Sequence, residues 1–287
     1  MIPKQNKGKP TLEEDTRLSY LITKHGEVIP QDTRSLISTR YRTVTRAINS
    51  EFYNSSSDTQ HSLYVGSYGR GTAIDDSDID ILIELPEYEY TRYDHYKGNG
   101  QSRLLQTVKM AIQQSYPRSN IRADGQVVII DFSDGMKFEI LPAFPQYSGT
   151  YKYPDTNVGG KWRSTNPRAE QEAMYQKNKN SNGLLFDTCK HFRRVRNDYY
   201  NSYQLSGYLI DSFIYHAMGN WQWTLPGGQS APSGSYEQII IQYLVNAKQG
   251  LSYSSFTLYT PGSTEPINHL FRNSLDGLTK VVNHIAT

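Results

Sequence analysis

The chain has very little cysteine, no long apolar run and almost no net charge. Cys189 is the only cysteine among 287 residues, which excludes an intramolecular disulfide and a multi-cysteine zinc site. No stretch approaches the roughly 18 consecutive apolar residues of a membrane span, and the N-terminal residues lack the apolar run of a signal peptide. The formal charge of +2 is too small for a protein that coats a long polyanion. We therefore expect a cytoplasmic protein without a membrane anchor.

The rest of the composition fits a soluble globular protein. Hydrophobic residues make up 37% and charged residues 20% of the chain, enough for a substantial core in one large domain or two lobes. Tyrosine is abundant, with 23 copies against 9 of phenylalanine. Many surfaces therefore offer both an apolar ring and a hydroxyl group.

The first 160 residues combine helical and strand patterns. Apolar residues at helical spacing predict three helices, at 11–28, 31–53 and 102–116. Apolar runs bounded by turn residues predict four strands, at 61–65, 79–85, 127–130 and 136–141. Irregular chain is expected over the polar residues 86–101 and over 142–160. These patterns predict an α/β lobe over residues 1–160.

Beyond residue 160 the pattern becomes helical. Residues Ser164 to Pro167 combine polar capping side chains with a proline at the first helical position, which is a strong helix start. Helices are predicted at about 167–180, 183–200, 205–219, 235–248 and 274–285. We therefore expect a second, helical lobe over residues 161–287.

A glycine–serine turn leads out of the first predicted strand. Glycine at Gly66 lets the backbone approach a phosphate closely, and the hydroxyl of Ser67 can add a hydrogen bond. Arg70 follows one helical turn later and could contact phosphate or pair with Asp75 or Asp76. A lone turn of this kind is more often a simple hairpin, so its meaning depends on the residues that follow.

Two aspartates follow this turn at the start of the next predicted strand. Alternate residues of a strand share a face, so Asp78 and Asp80 point together while Ile79 and Ile81 point into the core. Two carboxylates on one face repel each other unless a cation lies between them, and oxygen ligands with open positions suit Mg²⁺. A phosphate turn beside paired acids favours two-metal catalysis of an attack on phosphorus.

Such catalysis generally needs a third acid on a neighbouring strand. Asp131 and Glu139 are the two candidates, because each lies in one arm of the predicted hairpin. Asp131 and Asp134 are explained by the turn that they flank. Glu139 lies between the large apolar residues Phe138 and Ile140 near the strand end, so the pattern favours Glu139.

These residues resemble a known family, the cGAS/DncV-like nucleotidyltransferases (CD-NTases) of bacterial anti-phage systems. These enzymes are relatives of animal cGAS and oligoadenylate synthases within the polymerase-β-like superfamily. The resemblance rests on GSYGRGTAIDDSDIDILIEL and MKFEILPAF and extends more loosely through the helical lobe. It implies a polymerase-β-like nucleotidyltransferase lobe with a mixed sheet, a helical lobe that completes the nucleotide-binding site, and an active site in the cleft between them.

The resemblance also implies roles for single residues. Asp78, Asp80 and Glu139 would be the metal-binding triad for two Mg²⁺ ions, for which Mn²⁺ can substitute, and Gly66 and Ser67 would be the triphosphate-binding turn. Many relatives carry aspartate where this chain has Glu139, and the extra methylene moves the carboxylate outward.

In the helical lobe, three further residues match family positions. Lys190 resembles the lysine that contacts the substrate triphosphate, Ser206 a serine that contacts phosphate, and Tyr208 a tyrosine that stacks on the base. The basic face around Lys190 also fits a solvated helix surface, and Tyr208 also fits a core position.

The implied function is synthesis of a cyclic di- or trinucleotide second messenger from nucleoside triphosphates, with release of pyrophosphate, in anti-phage defence. The product would act on a separate effector protein, and regulatory protein partners would fit the family. A chain with one cysteine cannot build the zinc insertion of the DNA-sensing animal relative, so no long nucleic-acid activator is expected. Two alternatives stay open: transfer to a linear oligonucleotide, protein or small-molecule acceptor, and a catalytically inactive nucleotide-binding scaffold.

Overall fold

The computed structural model describes residues 21–75 and 77–285. Contacts divide the chain into two units, Glu27–Tyr175 and Met1–Gly26 with Gln176–Thr287. The first unit contains every strand of the described residues, and the second is helical. An α/β fold with a mixed sheet and a helical part is confirmed. The lobe boundary at residue 160 stays a prediction.

The first unit is built on a seven-stranded sheet. Its strands are β1 (Ser62–Tyr64), β2 (Ile79–Glu84), β3 (Asn120–Asp124), β4 (Val127–Asp131), β5 (Lys137–Pro145), β6 (Tyr151–Asp155) and β7 (Lys161–Thr165). The order is β1-β2-β5-β4-β3, with β6 pairing with the end of β5 and β7 pairing with β6. Only β2 and β5 pair in parallel among these strands. All four predicted strands are therefore present.

Three helices cover one face of this sheet: α1 (Gln31–Tyr53), α3 (Glu87–Asp94) and α4 (Gly100–Ser115). The short helix α2 (Gly66–Arg70) follows β1, and α5 (Pro167–Asn180) runs into the second unit. Ile37, Val44 and Ile48 of α1 recur at helical spacing and pack in one cluster with Ile81 and Ile83 of β2. The predicted helix at 31–53 is thereby confirmed.

Some local predictions for this unit were wrong. The residues expected to be irregular contain α3, the end of β5 and all of β6. Strand β3 was not predicted at all, and β7 lies just past residue 160, where helical structure was expected. In β3 only Ile121 is buried, because β3 is the last strand in the order and pairs on one side only. A single buried residue leaves no alternating pattern to detect.

The predicted helix at 11–28 was wrong over its described part. Residues 11–20 lie outside the described residues, and residues 21–28 are not helical. Gly26 has a φ of +56°, which a right-handed helix does not allow. The backbone N–H groups of Ile22 and His25 donate to the carboxylates of Glu237 and Asp187 instead of to a helix.

The second unit consists of helices around a core of large apolar side chains. They are α6 (Leu184–Tyr199), α7 (Gly207–Ala217), α8 (Ser235–Ser252), α9 (Asn268–Asn273) and α10 (Leu275–His284). Phe192, Phe213 and Phe271 are fully buried. Four of these helices match predicted ones, whereas the short α9 was not predicted. None of the helices in residues 21–75 and 77–285 combines the length and hydropathy needed to cross a bilayer.

Candidate active site

Two acidic side chains lie side by side on the central strands of the sheet. Asp80 of β2 and Glu139 of β5 are directly paired across the parallel ladder. Paired residues of parallel strands point to the same face, and alternation places Ile79 and Ile81 on the opposite, helix-covered face. Asp80 and Glu139 therefore share the face that points away from the main apolar core.

Asp78 joins this pair through a lysine. It lies one residue before β2, and its Oδ2 atom is 3.1 Å from Nζ of Lys137, which is itself 2.6 Å from Oε1 of Glu139. These side chains are partly exposed, Asp78 at 48%, Lys137 at 29% and Glu139 at 28%. The hydrogen bond with Glu139, and then that with Asp78, raises the pKa of Lys137 against the opposing effect of burial. An ammonium cation thus bridges two of the three predicted acids.

Lys137 was missed in the sequence analysis. The signal was present, because Lys137 precedes Glu139 by two residues and must share its face of the strand. What alternation alone does not reveal is the contact with Asp78, which is 59 residues away in the chain.

The glycine–serine turn lies directly against Asp80. Gly66 has a φ of +57°, and a Cβ atom built on it would lie 2.5 Å from Cγ and 2.8 Å from Cβ of Asp80. The amide of Val65 donates to the carbonyl of Asp80 at 2.9 Å, which ties the turn to β2. Ser67 is buried, and its carbonyl accepts from the amides of Thr72 and Ala73. The backbone at Gly66 can approach Asp80 closely because this position carries no side chain.

Arg70 is held by helix α5. Its guanidinium forms an ion pair with Glu170 at 3.1 Å, and both side chains are largely buried. The next residue, Gln171, donates from Nε2 to the carbonyl of Tyr64 at 2.8 Å, at the end of β1. Helix α5 thereby contacts both ends of the segment that carries the glycine–serine turn.

In the helical unit, Lys190 lies on α6 and is buried. Its Nζ atom donates to the carbonyl of Gly26 at 2.6 Å. One turn further, Arg193 forms a two-point ion pair with the fully buried Asp211, with Nε–Oδ1 and Nη2–Oδ2 distances of 3.0 and 2.7 Å. A buried two-point pair of this kind holds α6 and α7 in a single arrangement.

Ser206 and Tyr208 lie at the start of α7. The hydroxyl oxygen of Ser206 accepts from the amide of Leu209 at 3.2 Å and so caps the helix. The hydroxyl of Tyr208 lies 2.6 Å from Oγ1 of Thr260. Gly207 between them contacts the guanidinium of Arg193 so closely that a Cβ atom would lie 2.6 Å from Nη2. The ion pair therefore also positions the segment from Ser206 to Tyr208 relative to α6.

The acidic face has the donor chemistry of a divalent-cation site. Its carboxylate oxygens are hard ligands of the kind that Mg²⁺ and Mn²⁺ take, and a cation already bridges Asp78 and Glu139. Within the described residues, no three side chains of His, Cys, Asp or Glu type converge closely enough to hold a metal ion. With the Lys137 ammonium between the two carboxylates, a divalent cation bound at this point must displace it.

A mixed sheet with a glycine turn packed against acids on neighbouring strands defines a protein of the nucleotidyltransferase class. Residues 18–178 match the family model described as the Second Messenger Oligonucleotide or Dinucleotide Synthetase (SMODS) domain. This match spans more than half of the 287 residues. The chain therefore belongs to the SMODS family, whose members are CD-NTases.

Solved structures with this fold include several cyclic dinucleotide synthases and related enzymes. The Elizabethkingia meningoseptica CdnE cyclic dinucleotide synthase with GTP and Apcpp matches with a TM-score of 0.61 and 13% identity, over 97% of this chain and 100% of that one. The Bradyrhizobium diazoefficiens CD-NTase CdnG with GTP gives 0.62 and 14%, over 94% and 86%. The E. coli MS115-1 CdnC complex with HORMA gives 0.62 and 11%, over 89% and 84%. Comparison with curated protein sequences gives no match.

Proposed function

We propose that this protein joins nucleoside triphosphates into a cyclic oligonucleotide, with release of pyrophosphate. The observation that carries the proposal is the close packing of Gly66 against Asp80, which is itself paired with Glu139 on the neighbouring strand. A backbone turn that can approach phosphate closely thus lies against acids that can bind metal. Family membership supports the same chemistry.

Three carboxylates, those of Asp78, Asp80 and Glu139, would hold two Mg²⁺ ions, or Mn²⁺ in their place. Bound there, such ions would lower the pKa of the attacking ribose hydroxyl and would neutralise charge that develops on the phosphate oxygens. Gly66 and Ser67 would receive the triphosphate through the backbone N–H groups of the turn and the hydroxyl of Ser67.

Further substrate contacts are proposed for Arg70, Lys190, Ser206 and Tyr208. Arg70 lies in the segment of the glycine–serine turn and would contact phosphate there. Its ion pair with Glu170 keeps the guanidinium in position. The ion pair of Arg193 with Asp211 holds α6 and the start of α7 in one arrangement. This supports roles for the residues on these two segments, which are Lys190, Ser206 and Tyr208. Lys190 and Ser206 would then contact phosphate, and Tyr208 would stack on the base.

The biological part of the proposal is second-messenger signalling in anti-phage defence. The cyclic product would leave the enzyme and act on a separate effector protein in the cytoplasm. The HORMA complex of the E. coli relative supports control by a partner protein. A formal charge of only +2 supports a protein that needs no long nucleic-acid activator.

The decisive experiment is incubation with all four α-labelled nucleoside triphosphates and Mg²⁺ or Mn²⁺, followed by phosphatase and mass spectrometry. A phosphatase-resistant product is expected, since a closed ring has no terminal phosphate. A phosphatase-sensitive oligonucleotide would instead identify the linear transferase, and labelled protein or small molecule would identify another acceptor.

The metal-site assignment predicts a large effect of removing its acids. The D78A/D80A double variant is expected to lose at least about 100-fold in the rate of pyrophosphate release, which is the scale of losing electrostatic stabilisation of a transition state. The D58A variant changes a partly exposed acid of the α1–β1 loop and serves as control, with an unchanged rate. Wild-type turnover in the double variant would refute the assignment, and no turnover in any protein would favour the inactive scaffold.

A further inference from the structure

The lysine that bridges Asp78 and Glu139 has no role in the proposed reaction. Lys137 opens strand β5, and its directly paired residue on β4 is Asp131. Asp131 is already engaged, because its Oδ2 atom accepts from Nδ2 of Asn120 at 3.0 Å and forms an ion pair with Arg122. The ammonium of Lys137 therefore turns to the acids of the candidate active site instead of to its strand neighbour.

The position of this ammonium is incompatible with a metal ion on the same carboxylate atoms. Nζ lies 2.6 Å from Oε1 of Glu139 and 3.1 Å from Oδ2 of Asp78, which are hydrogen-bond distances. A Mg²⁺ ion takes carboxylate oxygens at about 2.0–2.1 Å and demands a near-octahedral shell. An ammonium and a divalent cation on the same oxygen atoms would also repel each other.

The lysine has room to leave. Its side chain is flexible and 29% exposed. A cavity of about 390 Å³ adjoins the pair and is lined by Asp78, Lys137, Ser77 and Asp134 among others. Displacement into this cavity or into solvent needs only rotation about side-chain bonds, without movement of β5.

We propose that Lys137 is an internal counter-ion that holds Asp78 and Glu139 together in the metal-free enzyme and competes with the divalent cation for them. This role of Lys137 rests on the proposed metal site. It makes the affinity of the site for a divalent cation weaker than the affinity that the three carboxylates would have without the lysine. The enzyme would then be fully loaded only at higher metal concentration, or when a bound triphosphate contributes further oxygen ligands.

The test is direct metal binding, measured without turnover. We expect the K137M variant, which keeps most of the unbranched apolar side chain but not its charge, to bind Mn²⁺ about three- to tenfold more tightly than wild type by electron paramagnetic resonance titration. K137R keeps the charge and should stay within about twofold of wild type. K97M removes a charge from an exposed lysine of the same unit and is the control for net charge, with unchanged affinity.

Thermal unfolding supplies a second readout. In EDTA, K137M is expected to have a lower melting temperature than wild type, because its two carboxylates lose their shared cation, and saturating Mn²⁺ should remove this difference. K137Q is the second variant if K137M does not fold. Unchanged or weaker Mn²⁺ binding in both variants would overturn the proposal. A different result would count against the proposed function itself. If wild type binds no Mn²⁺, or if D78N/D80N binds Mn²⁺ as tightly as wild type, the proposed metal site is wrong.

Discussion

At the scale of single residues, Gly66 has no room for a side chain unless Asp80 shifts. Its φ of +57° disfavours any L-residue, and Asp80 occupies the space that a Cβ atom would need. Glycine here therefore serves two purposes, one for the conformation of the turn and one for the placement of an acid.

The variant G66A separates these two purposes when it is compared with G149A. Gly149 has a φ of +79° and nothing within 4 Å of its Cβ position, so G149A imposes backbone strain alone. We expect each variant to lose about 1–2 kcal/mol in free energy of unfolding from the left-handed conformation. Only G66A should also lose nucleotide turnover, by on the order of 100-fold, because it displaces Asp80. Equal activity of the two variants in a pyrophosphate assay would contradict this account.

The neighbouring acids illustrate what alternation along a strand can predict. Asp78 and Asp80 were expected on one face from their spacing alone, and Glu139 was preferred over Asp131 from the apolar residues beside it. The direct pairing of Asp80 with Glu139 required the parallel register of β2 and β5, which joins segments about 60 residues apart. The roles of these three residues as metal ligands stay predictions.

At the scale of elements, helix α5 braces the turn between β1 and β2. Glu170 pairs with Arg70, and Gln171 fills the space beside Gly69, where a Cβ atom would lie 2.6 Å from Nε2 of Gln171. The turn thus depends on a helix that begins about 100 residues later in the chain. Sequence periodicity predicted α5 as a helix but contained no signal for this contact.

Removing the charge of Glu170 should destabilise the protein. E170Q leaves the buried guanidinium of Arg70 without this counter-charge, so we expect a loss of about 2–4 kcal/mol in the free energy of unfolding by urea. The control D58N breaks the exposed pair of Asp58 with Arg46 and should cost less than about 1 kcal/mol. Weaker binding of a non-hydrolysable triphosphate by E170Q would show that the brace positions the turn. Equal stability of E170Q and D58N would rule out a buried ion pair.

At the scale of the whole molecule, residues 22–26 belong to the helical unit. Residues 22–26 are held there by buried charged side chains: Glu237 accepts from the amide of Ile22, Asp187 from the amide of His25, and Lys190 donates to the carbonyl of Gly26. These contacts join residues more than 160 positions apart. They explain why residues 21–28 are not helical.

Two histidines in this region predict a dependence of stability on pH. Burial lowers the pKa of His191 from 6.5 to about 4, and burial likewise lowers the pKa of His25, whose Nε2 atom is 3.3 Å from Nδ1 of His191. His191 stays neutral in the folded protein, whereas the unfolded chain takes up a proton below pH 6.5. The free energy of unfolding should therefore fall between pH 6.5 and about 4, by at most about 1.4 kcal/mol per pH unit for this group.

Urea unfolding of H191Q at several pH values tests this linkage. Its free energy of unfolding should change less steeply below pH 6.5 than that of wild type, since the variant has no imidazole to protonate. H95Q removes an exposed histidine of the other unit and should keep the wild-type slope. A wild-type slope in H191Q would assign the acid sensitivity to other groups.

The sequence by itself determined the local features of this protein. Helical and alternating periods located α1, α4 and the strands β1, β2, β4 and β5, because each period depends only on neighbouring residues. The same local patterns located the glycine–serine turn and predicted a shared face for Asp78 and Asp80. Short polar elements such as α3 and β3 bury too few side chains to leave a period, so they were missed.

Tertiary structure alone decided the contacts that join distant segments. The register of Asp80 with Glu139, the bridge through Lys137 and the pair of Arg70 with Glu170 all depend on sheet order and helix packing. The attachment of residues 22–26 to buried carboxylates also depends on helix packing, because both carboxylates lie on helices. Such contacts arise because burial forces charged groups to find partners, and the nearest partner in space is rarely the nearest along the chain.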